Sequence, residues 1–223
     1  MTIASNHLLV EEKITTSLQA ANREPSDLTC VVVTKQRSME EVAELYDLGY
    51  RHFAENRPEG LKEKQEHFTQ SDIIWHYVGS LQTRKVKQVI NDIDYFHALD
   101  RLSLAKEIEK RAENSVSCFV QVNVSGEASK NGVSPDDLLT FIESLQEFSK
   151  IKVVGLMTMA PIEASKEALK GYFEQLKALQ VKVMEQNYHH APCLETSMGM
   201  SNDFDIAIEA GATVIRVGTA FFE

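Results

Sequence analysis

One lysine stands out because it directly follows a run of β-branched residues. Lys35 comes immediately after residues 29–34, whose sequence TCVVVT is typical of a buried strand. We therefore expect the Lys35 ammonium group to be partly buried at the end of this strand rather than on a solvated helix face. Burial favours the neutral form of a lysine amine, which is a nucleophile that forms a Schiff base with an aldehyde. The alternative is a lysine that reaches solvent and has no chemical role.

The segment from Ser197 to Ser201 has the composition of a phosphate-binding loop. Its sequence, SMGMS, places Ser197, Gly199 and Ser201 just ahead of a predicted helix at residues 202–210. Backbone N–H groups at the start of a helix point towards an anion, and the helix dipole favours negative charge there. From the sequence alone, an ordinary helix cap with a turn explains the same residues equally well.

Arg216, Gly218 and Thr219 form a second segment of this kind. They lie in and just after the final predicted strand, residues 213–217. Gly218 lets the backbone approach phosphate oxygens, and Thr219 offers a hydroxyl group. Arg216 is expected to point into the interior or towards a ring-shaped ligand, and a structural ion pair is its alternative role.

Short β-branched runs alternate with amphipathic segments along the chain. The predicted strands cover residues 29–34, 51–54, 73–78, 93–98, 117–124, 151–156, 193–197 and 213–217. Helix-start signals lie between them, such as the capping box of Ser38 and Glu41 and the acidic residue Asp100 ahead of a helical stretch. Strands that alternate with helices pair in parallel, so this pattern predicts an α/β fold, a single closed (β/α)8 TIM-type barrel. An open doubly wound sheet is the alternative.

An amphipathic helix is predicted ahead of the first strand. Its apolar positions recur at helical spacing, and they are Leu8, Leu9, Ile14 and Leu18. At the other end the chain stops at Glu223, soon after the last predicted strand. We therefore expect the final helix of the barrel to be short or absent.

The candidate residues fall at one end of such a barrel. Ligands bind at the rim formed by the carboxyl ends of the strands, and phosphate is often held by the loops after the last two strands. Lys35 and both phosphate-like segments are predicted to lie there, and Asn56 follows the second strand at the same rim. His76 lies inside the third strand, where a buried, hydrogen-bonded role is favoured over that of a base.

The overall composition argues against a membrane or nucleic-acid partner. No stretch approaches the roughly 20 apolar residues of a membrane span. With 23 Lys+Arg against 33 Asp+Glu, the net charge of -10 repels phosphate backbones and anionic lipids. The first residues lack the pattern of a signal peptide, which predicts a cytoplasmic location.

No linker interrupts the chain, so one domain over residues 1–223 is expected. Within it, the charged run KEKQE at residues 62–66 predicts a solvated helix face.

Several segments together resemble one family. They are VVVTK, FAEN, WHYVGSLQTRK, LDRLSLAKEI, QVNVSGEASKNGV, GLMTMAP and SMGMSNDFDIAIEAGATVIRVGTAFF. The first of these ends at Lys35 and the second at Asn56. From about residue 6 to its end, the chain resembles the pyridoxal phosphate homeostasis protein family.

The resemblance implies a fold-type III barrel like the N-terminal domain of alanine racemase, with pyridoxal 5′-phosphate (PLP) held on Lys35 as an internal aldimine. It implies that Arg216 faces the pyridine nitrogen and that Asn56 lies near the cofactor. A cation beside that nitrogen disfavours its protonation and weakens the ring as an electron sink. The segments that match the phosphate cradle contribute Ser197, Gly199, Ser201, Gly218 and Thr219. We assign no catalytic residue and no metal ligand.

The function implied by the resemblance is that of a monomeric PLP carrier or buffer in vitamin B6 homeostasis, which serves PLP-dependent apoenzymes. Related racemases use a tyrosine from a second domain as an additional base. The predicted barrel accounts for the 223 residues of this chain, so a second domain of this kind is not expected in it. A weakly active PLP-dependent racemase or lyase, with His76 or a tyrosine as the missing base, is one alternative. A Schiff-base sugar-phosphate aldolase is another, although its lysine is expected near the sixth strand, which here ends in GLMTMAP.

Overall fold

The computed structural model describes residues 2–127 and 130–223. Its strands are β1 (Thr29–Val33), β2 (His52–Glu55), β3 (Ile74–Tyr77), β4 (Tyr95–Leu99), β5 (Val116–Gln121), β6 (Ile151–Met157), β7 (Glu195–Ser197) and β8 (Val214–Val217). Each strand pairs in parallel with the next along the chain, and β8 pairs with β1 to close the ring. The prediction of a closed (β/α)8 barrel is confirmed, and the open doubly wound sheet is wrong.

Six strands are one or two residues shorter than predicted, and the physical reason is visible for β7 and β5. β7 begins at Glu195, because Cys193 has a φ of +48°, outside the extended region. β5 ends at Gln121 rather than at residue 124, since Val122 beyond it makes only a single bridge to Val133. The carboxyl ends of both strands still lie at the rim where the sequence places them.

Helices surround the barrel and connect most of the strands. They are α1 (Ile3–Ala20), α2 (Met39–Asp47), α3 (Pro58–His67), α4 (Leu102–Arg111), α5 (Leu138–Ser144), α6 (Lys166–Met184), α7 (Phe204–Glu209) and α8 (Thr219–Phe222). Short 3₁₀ segments lie at Pro25–Asp27, Thr83–Gln88 and Leu145–Glu147, and the second of these stands between β3 and β4 in place of an α-helix. In the described part of the chain, no helix is long and apolar enough to cross a membrane.

The predicted helix starts are confirmed in one case and shifted in the other. Ser38 and Glu41 form the expected capping box, in which the Glu41 carboxylate accepts from the Ser38 N–H at 2.7 Å. The N-cap of α4 is Arg101 rather than Asp100. The Asp100 carboxylate instead accepts from the Arg101 guanidinium at 2.6 Å, which occupies the side chain that would otherwise cap the helix.

The opening helix covers the flank that the last helix leaves open. As expected, α8 is a single turn, and α1 packs against both α7 and α8. The buried apolar face of α1 is formed by Val10, Ile14 and Leu18, at i, i+4 and i+8. Leu8 and Leu9 are exposed, so their predicted place on this face is wrong, because their angular positions lie away from that stripe.

Candidate functional site

A cavity of about 580 Å³ opens at the carboxyl rim, beside β1, β6, β7 and β8. We call it the rim cavity. Its volume suits a small ligand. Five of the predicted site residues line it, and they are Lys35, Ser201, Arg216, Gly218 and Thr219. The fold therefore brings together residues from both ends of the chain that the sequence proposes for one ligand.

Lys35 lies at the mouth of the rim cavity and is exposed, so the expected partial burial is wrong. The buried residue at this point is Thr34, whose hydroxyl donates to Glu55 Oε1 at 2.7 Å. Lys35 lies past the end of β1, in a turn at residues 35–36 in which Gln36 has a φ of +62°. Its amine is thus accessible to a ligand that enters from solvent.

Ser201 joins the two phosphate-like segments. Its Oγ accepts from the backbone N–H groups of Gly218 at 3.1 Å and of Ala220 at 3.2 Å. Within the described ranges, the N–H groups of Ser201, Asn202 and Thr219 donate to no protein acceptor. These three residues all line the rim cavity. Free backbone N–H groups near two cationic side chains form a donor set that suits a phosphate group.

Two predicted residues of the first phosphate-like segment lie behind this donor set instead of lining the cavity. Gly199 has a φ of +92°, and a Cβ atom there would come within 2.6 Å of the Ala207 Cβ. A glycine is therefore required for the close approach of α7 to the loop. Ser197 is fully buried, and its hydroxyl group contacts Arg216 and His97 inside the barrel.

Arg216 is the floor of the rim cavity and is only 4% exposed. Its Nη1 donates to Ser197 Oγ at 2.5 Å, and its Nη2 donates to the Thr158 carbonyl at 2.9 Å. Burial lowers the pKa of Arg216 to about 10, while nearby Asp203 opposes this shift. No salt bridge to Arg216 exists among the described residues, so the alternative of a structural ion pair is wrong. The guanidinium has five N–H donors, and those left over can serve a ligand.

Asn56 follows β2 but does not line the rim cavity. Its backbone carbonyl accepts from the Tyr77 hydroxyl at 2.9 Å. Its side chain forms no hydrogen bond within the ranges that the structure describes. The side-chain amide therefore remains free at the rim, beyond the end of the second strand.

A buried ion pair supports the strand end that precedes Lys35, and sequence reasoning missed it. Lys64 Nζ lies 2.8 Å from Glu55 Oε1, and both side chains are almost fully buried. The same carboxylate accepts from Thr34. The prediction that residues 62–66 form a solvated face is wrong for Lys64, because α3 turns this position onto the barrel. A charged run carries no signal that singles out its one buried member.

Three histidines form a hydrogen-bonded row through the barrel interior, which we call the histidine row. His52 Nδ1 lies 2.9 Å from His76 Nε2, and His76 Nδ1 lies 2.8 Å from His97 Nε2. His97 Nδ1 lies 2.9 Å from Ser197 Oγ, which also contacts Arg216. The prediction that His76 is a buried, hydrogen-bonded residue is confirmed. The sequence gives no sign of the row, because its three members come from three different strands, β2, β3 and β4.

Sequence comparison identifies relatives along nearly the whole chain. Residues 12–223 match the family model of the alanine racemase N-terminal domain. The pyridoxal phosphate homeostasis protein of Aquifex aeolicus is 37% identical over 216 residues, covering 96% of this chain and 94% of the relative. That of Pseudomonas aeruginosa is 33% identical over 225 residues, covering 99% and 95%.

Structural comparison agrees with these relatives. PipY of Synechococcus elongatus, solved with PLP bound, matches with a TM-score of 0.83 and 29% identity over 94% of this chain and 100% of PipY. Alanine racemase of Clostridium difficile matches with a TM-score of 0.74 over 95% of this chain and 56% of the racemase. At 15% identity, the racemase shows a shared fold only. The chain therefore belongs to the pyridoxal phosphate homeostasis protein family, within the wider alanine racemase N-terminal domain family.

Proposed function

We propose that this chain binds pyridoxal 5′-phosphate in the rim cavity, linked as a Schiff base to Lys35, and carries or buffers it in vitamin B6 homeostasis. The observation that carries the proposal is that one cavity combines an accessible amine, a buried guanidinium and three free backbone N–H groups. The names of the relatives and the PLP-bound structure of PipY support the same ligand.

The residues present suit each part of this cofactor. PLP supplies an aldehyde that reacts reversibly with amines, and Lys35 supplies the amine. The N–H groups of Ser201, Asn202 and Thr219 would hold the phosphate. Arg216, at the floor of the cavity, would face the pyridine ring and place a positive charge beside its nitrogen. Such a charge disfavours protonation of the nitrogen and so limits the ring as an electron sink.

The lining of the cavity favours carriage over turnover. Racemisation and related reactions need a base on the face of the cofactor opposite the lysine. Among the described residues that line the rim cavity there is neither a histidine nor a tyrosine, the two bases that the enzyme alternative names, and the other titratable groups besides Lys35 and Arg216 are Lys13, Lys166, Asp203 and Asp205. His76, the base that a weak enzyme would use, is engaged in the histidine row instead. The absence of these two bases from the lining supports the carrier role over the racemase alternative, and the turnover assay below tests whether another lining group acts as a base.

Borohydride reduction followed by peptide mapping tests the covalent link. The purified chain, loaded with PLP, should absorb visible light, and reduction should leave a pyridoxyl group on Lys35. Lys13 and Lys166 also line the rim cavity and are the competing nucleophiles. A pyridoxyl group on either of them, or a chain that PLP cannot load, would overturn the proposal.

Transfer and turnover are tested separately. The loaded chain should restore activity to a PLP-dependent apoenzyme, and chiral chromatography should detect no racemisation of added L-alanine. Free PLP at the same concentration is the control for transfer. Racemisation at a rate above that of free PLP would replace the carrier by the enzyme alternative.

A further inference from the structure

The histidine row connects two cavities at opposite ends of the barrel. Arg216 lines the rim cavity, and Ser197 links it to the row. At the other end, His52 and His76 line a second cavity of about 280 Å³, at the amino ends of the strands. Ser197 of β7 and the three histidines, which come from β4, β3 and β2, lie between Arg216 and the second cavity. Together they cross the core from one end of the barrel to the other.

The direction of every hydrogen bond in the row follows from Arg216. A guanidinium can only donate, so Ser197 Oγ accepts from Arg216 Nη1. The hydroxyl hydrogen of Ser197 must then find another acceptor, and His97 Nδ1 is the one within reach among the described residues. A buried hydroxyl without an acceptor is costly, so His97 Nδ1 carries no proton.

The same reasoning passes along the histidines. A neutral imidazole has one N–H and one acceptor nitrogen. With Nδ1 of His97 as acceptor, its Nε2 carries the proton and donates to His76 Nδ1. His76 in turn donates from Nε2 to His52 Nδ1. The Nε2–H of His52 is therefore directed away from the row, on the side of the second cavity.

Burial and charge keep these rings neutral. Burial holds the pKa of His97 well below its ordinary value, and His76 and Arg216 lower it further. Burial and the neighbouring His52 act in the same way on His76. Burial also lowers the pKa of His52, while Asp94 opposes the shift.

We propose that His97, His76 and His52 are positioning residues for Arg216: three neutral imidazoles, each protonated at Nε2, whose hydrogen bonds all run away from the rim cavity. The role of Arg216 towards the pyridine ring rests on the proposed function, whereas the direction of the row does not. The row fixes the Ser197 hydroxyl, and the hydroxyl fixes Nη1 of the guanidinium.

This arrangement has a consequence for the cofactor pocket. Because each ring donates away from Arg216, the row offers no proton to the rim cavity. It holds the positive charge of Arg216 at the cavity floor, where Asp203 lies nearby but no described carboxylate forms a salt bridge with the guanidinium. A ring nitrogen placed beside this charge would remain unprotonated, which suits storage of the cofactor.

Histidine side-chain NMR tests the direction of the row. Long-range ¹H–¹⁵N correlation spectra of the ¹⁵N-labelled chain, with and without PLP, should show the Nε2–H tautomer for all three rings at neutral pH. Signals are assigned by their loss in His52→Gln, His76→Gln and His97→Asn variants. An Nδ1–H tautomer or an imidazolium at any of these positions would overturn the proposal.

Two substitutions at His97 test whether the row positions Arg216. Asparagine places an amide oxygen near the position of Nδ1 and can still accept from Ser197, whereas phenylalanine cannot. His97→Phe should raise the Kd for PLP about tenfold, and His97→Asn should restore most of the loss. His189, which is exposed, provides the matched control His189→Phe. Equal Kd values for wild type and a folded His97→Phe would overturn the positioning role.

The two proposals fail in different ways. If PLP does not bind but the three rings show the Nε2–H tautomer, the proposed function is wrong and the direction of the row stands. If PLP binds to Lys35 but a ring shows the Nδ1–H tautomer, the inference alone is wrong. If His97→Phe does not fold, the NMR measurement still tests the direction of the row.

Discussion

Ser201 and Gly218 are joined by a hydrogen bond of 3.1 Å that ties the loop after β7 to the loop after β8. The same hydroxyl oxygen accepts from Ala220 N–H at 3.2 Å. Two loops that follow different strands thus form one wall of the rim cavity. The proposed phosphate cradle depends on this link for its shape.

Replacing Ser201 with alanine should loosen the cradle. Ser201→Ala leaves the N–H groups of Gly218 and Ala220 without their acceptor, and a typical net contribution of about 1 kcal/mol per hydrogen bond predicts a fall in the free energy of unfolding of about 1–2 kcal/mol. We expect PLP affinity to fall as well, because the two loops no longer hold their N–H groups in one place. Equilibrium dialysis and urea unfolding measure both effects. Ser201→Thr, which keeps the hydroxyl, should retain affinity; equal losses in both variants would contradict the role of this hydrogen bond.

Removing the Lys35 amine should separate binding from covalent attachment. Lys35→Ala should fold with unchanged stability, because the side chain is exposed. Its PLP should be lost on dialysis and leave no borohydride-stable pyridoxyl peptide, since no amine remains at this point of the rim. Circular dichroism and mass spectrometry measure the two properties. Lys170→Ala, an exposed lysine on α6, is the control and should keep the adduct; an adduct of wild-type yield in Lys35→Ala would refute the assignment.

The buried pair of Glu55 and Lys64 should be important for stability. Lys64→Met leaves the Glu55 carboxylate buried with the Thr34 hydroxyl as its sole partner among the described residues, which should lower the free energy of unfolding by about 3–5 kcal/mol. Urea denaturation measures the change. The exposed pair of Lys62 and Glu66 on the same helix is the matched control, and Lys62→Met should have almost no effect. Similar losses in both variants would show that burial of the pair is not the cause.

Stability should decrease as the pH is lowered from about 7 to about 5, because two buried histidines resist protonation in the fold. The pKa values of His76 and His97 are held well below 6.5, mainly by burial. In the unfolded chain both titrate near their ordinary value, so below that pH the unfolded state binds more protons than the native state. The free energy of unfolding then falls with decreasing pH by up to about 1.4 kcal/mol per pH unit for each histidine.

Urea denaturation at several pH values checks this dependence. His97→Asn removes one of these buried groups and should make the profile less steep. His189→Asn, at an exposed position, should leave the slope as in the wild type. A wild-type stability that stays constant across this range would show that the histidines are not neutral in the fold.

The order of strands and helices could be predicted because it depends on local patterns. Alternating β-branched runs and amphipathic segments predict a closed parallel barrel, and the structure confirms it. In such a barrel all strands end at one rim, so the chain positions of Lys35, Ser201 and Arg216 were enough to predict a shared cavity. The resemblance to a known family pointed to the ligand.

The environment of individual side chains could not be predicted in the same way. The exposure of Lys35 depends on a turn just past Thr34, and the burial of Lys64 depends on how α3 lies against the barrel. The histidine row joins His97 to Ser197, which are a hundred residues apart. Such contacts arise only when the closed sheet brings distant strands face to face, because the period of a strand specifies which side a residue faces but not which side chain it meets.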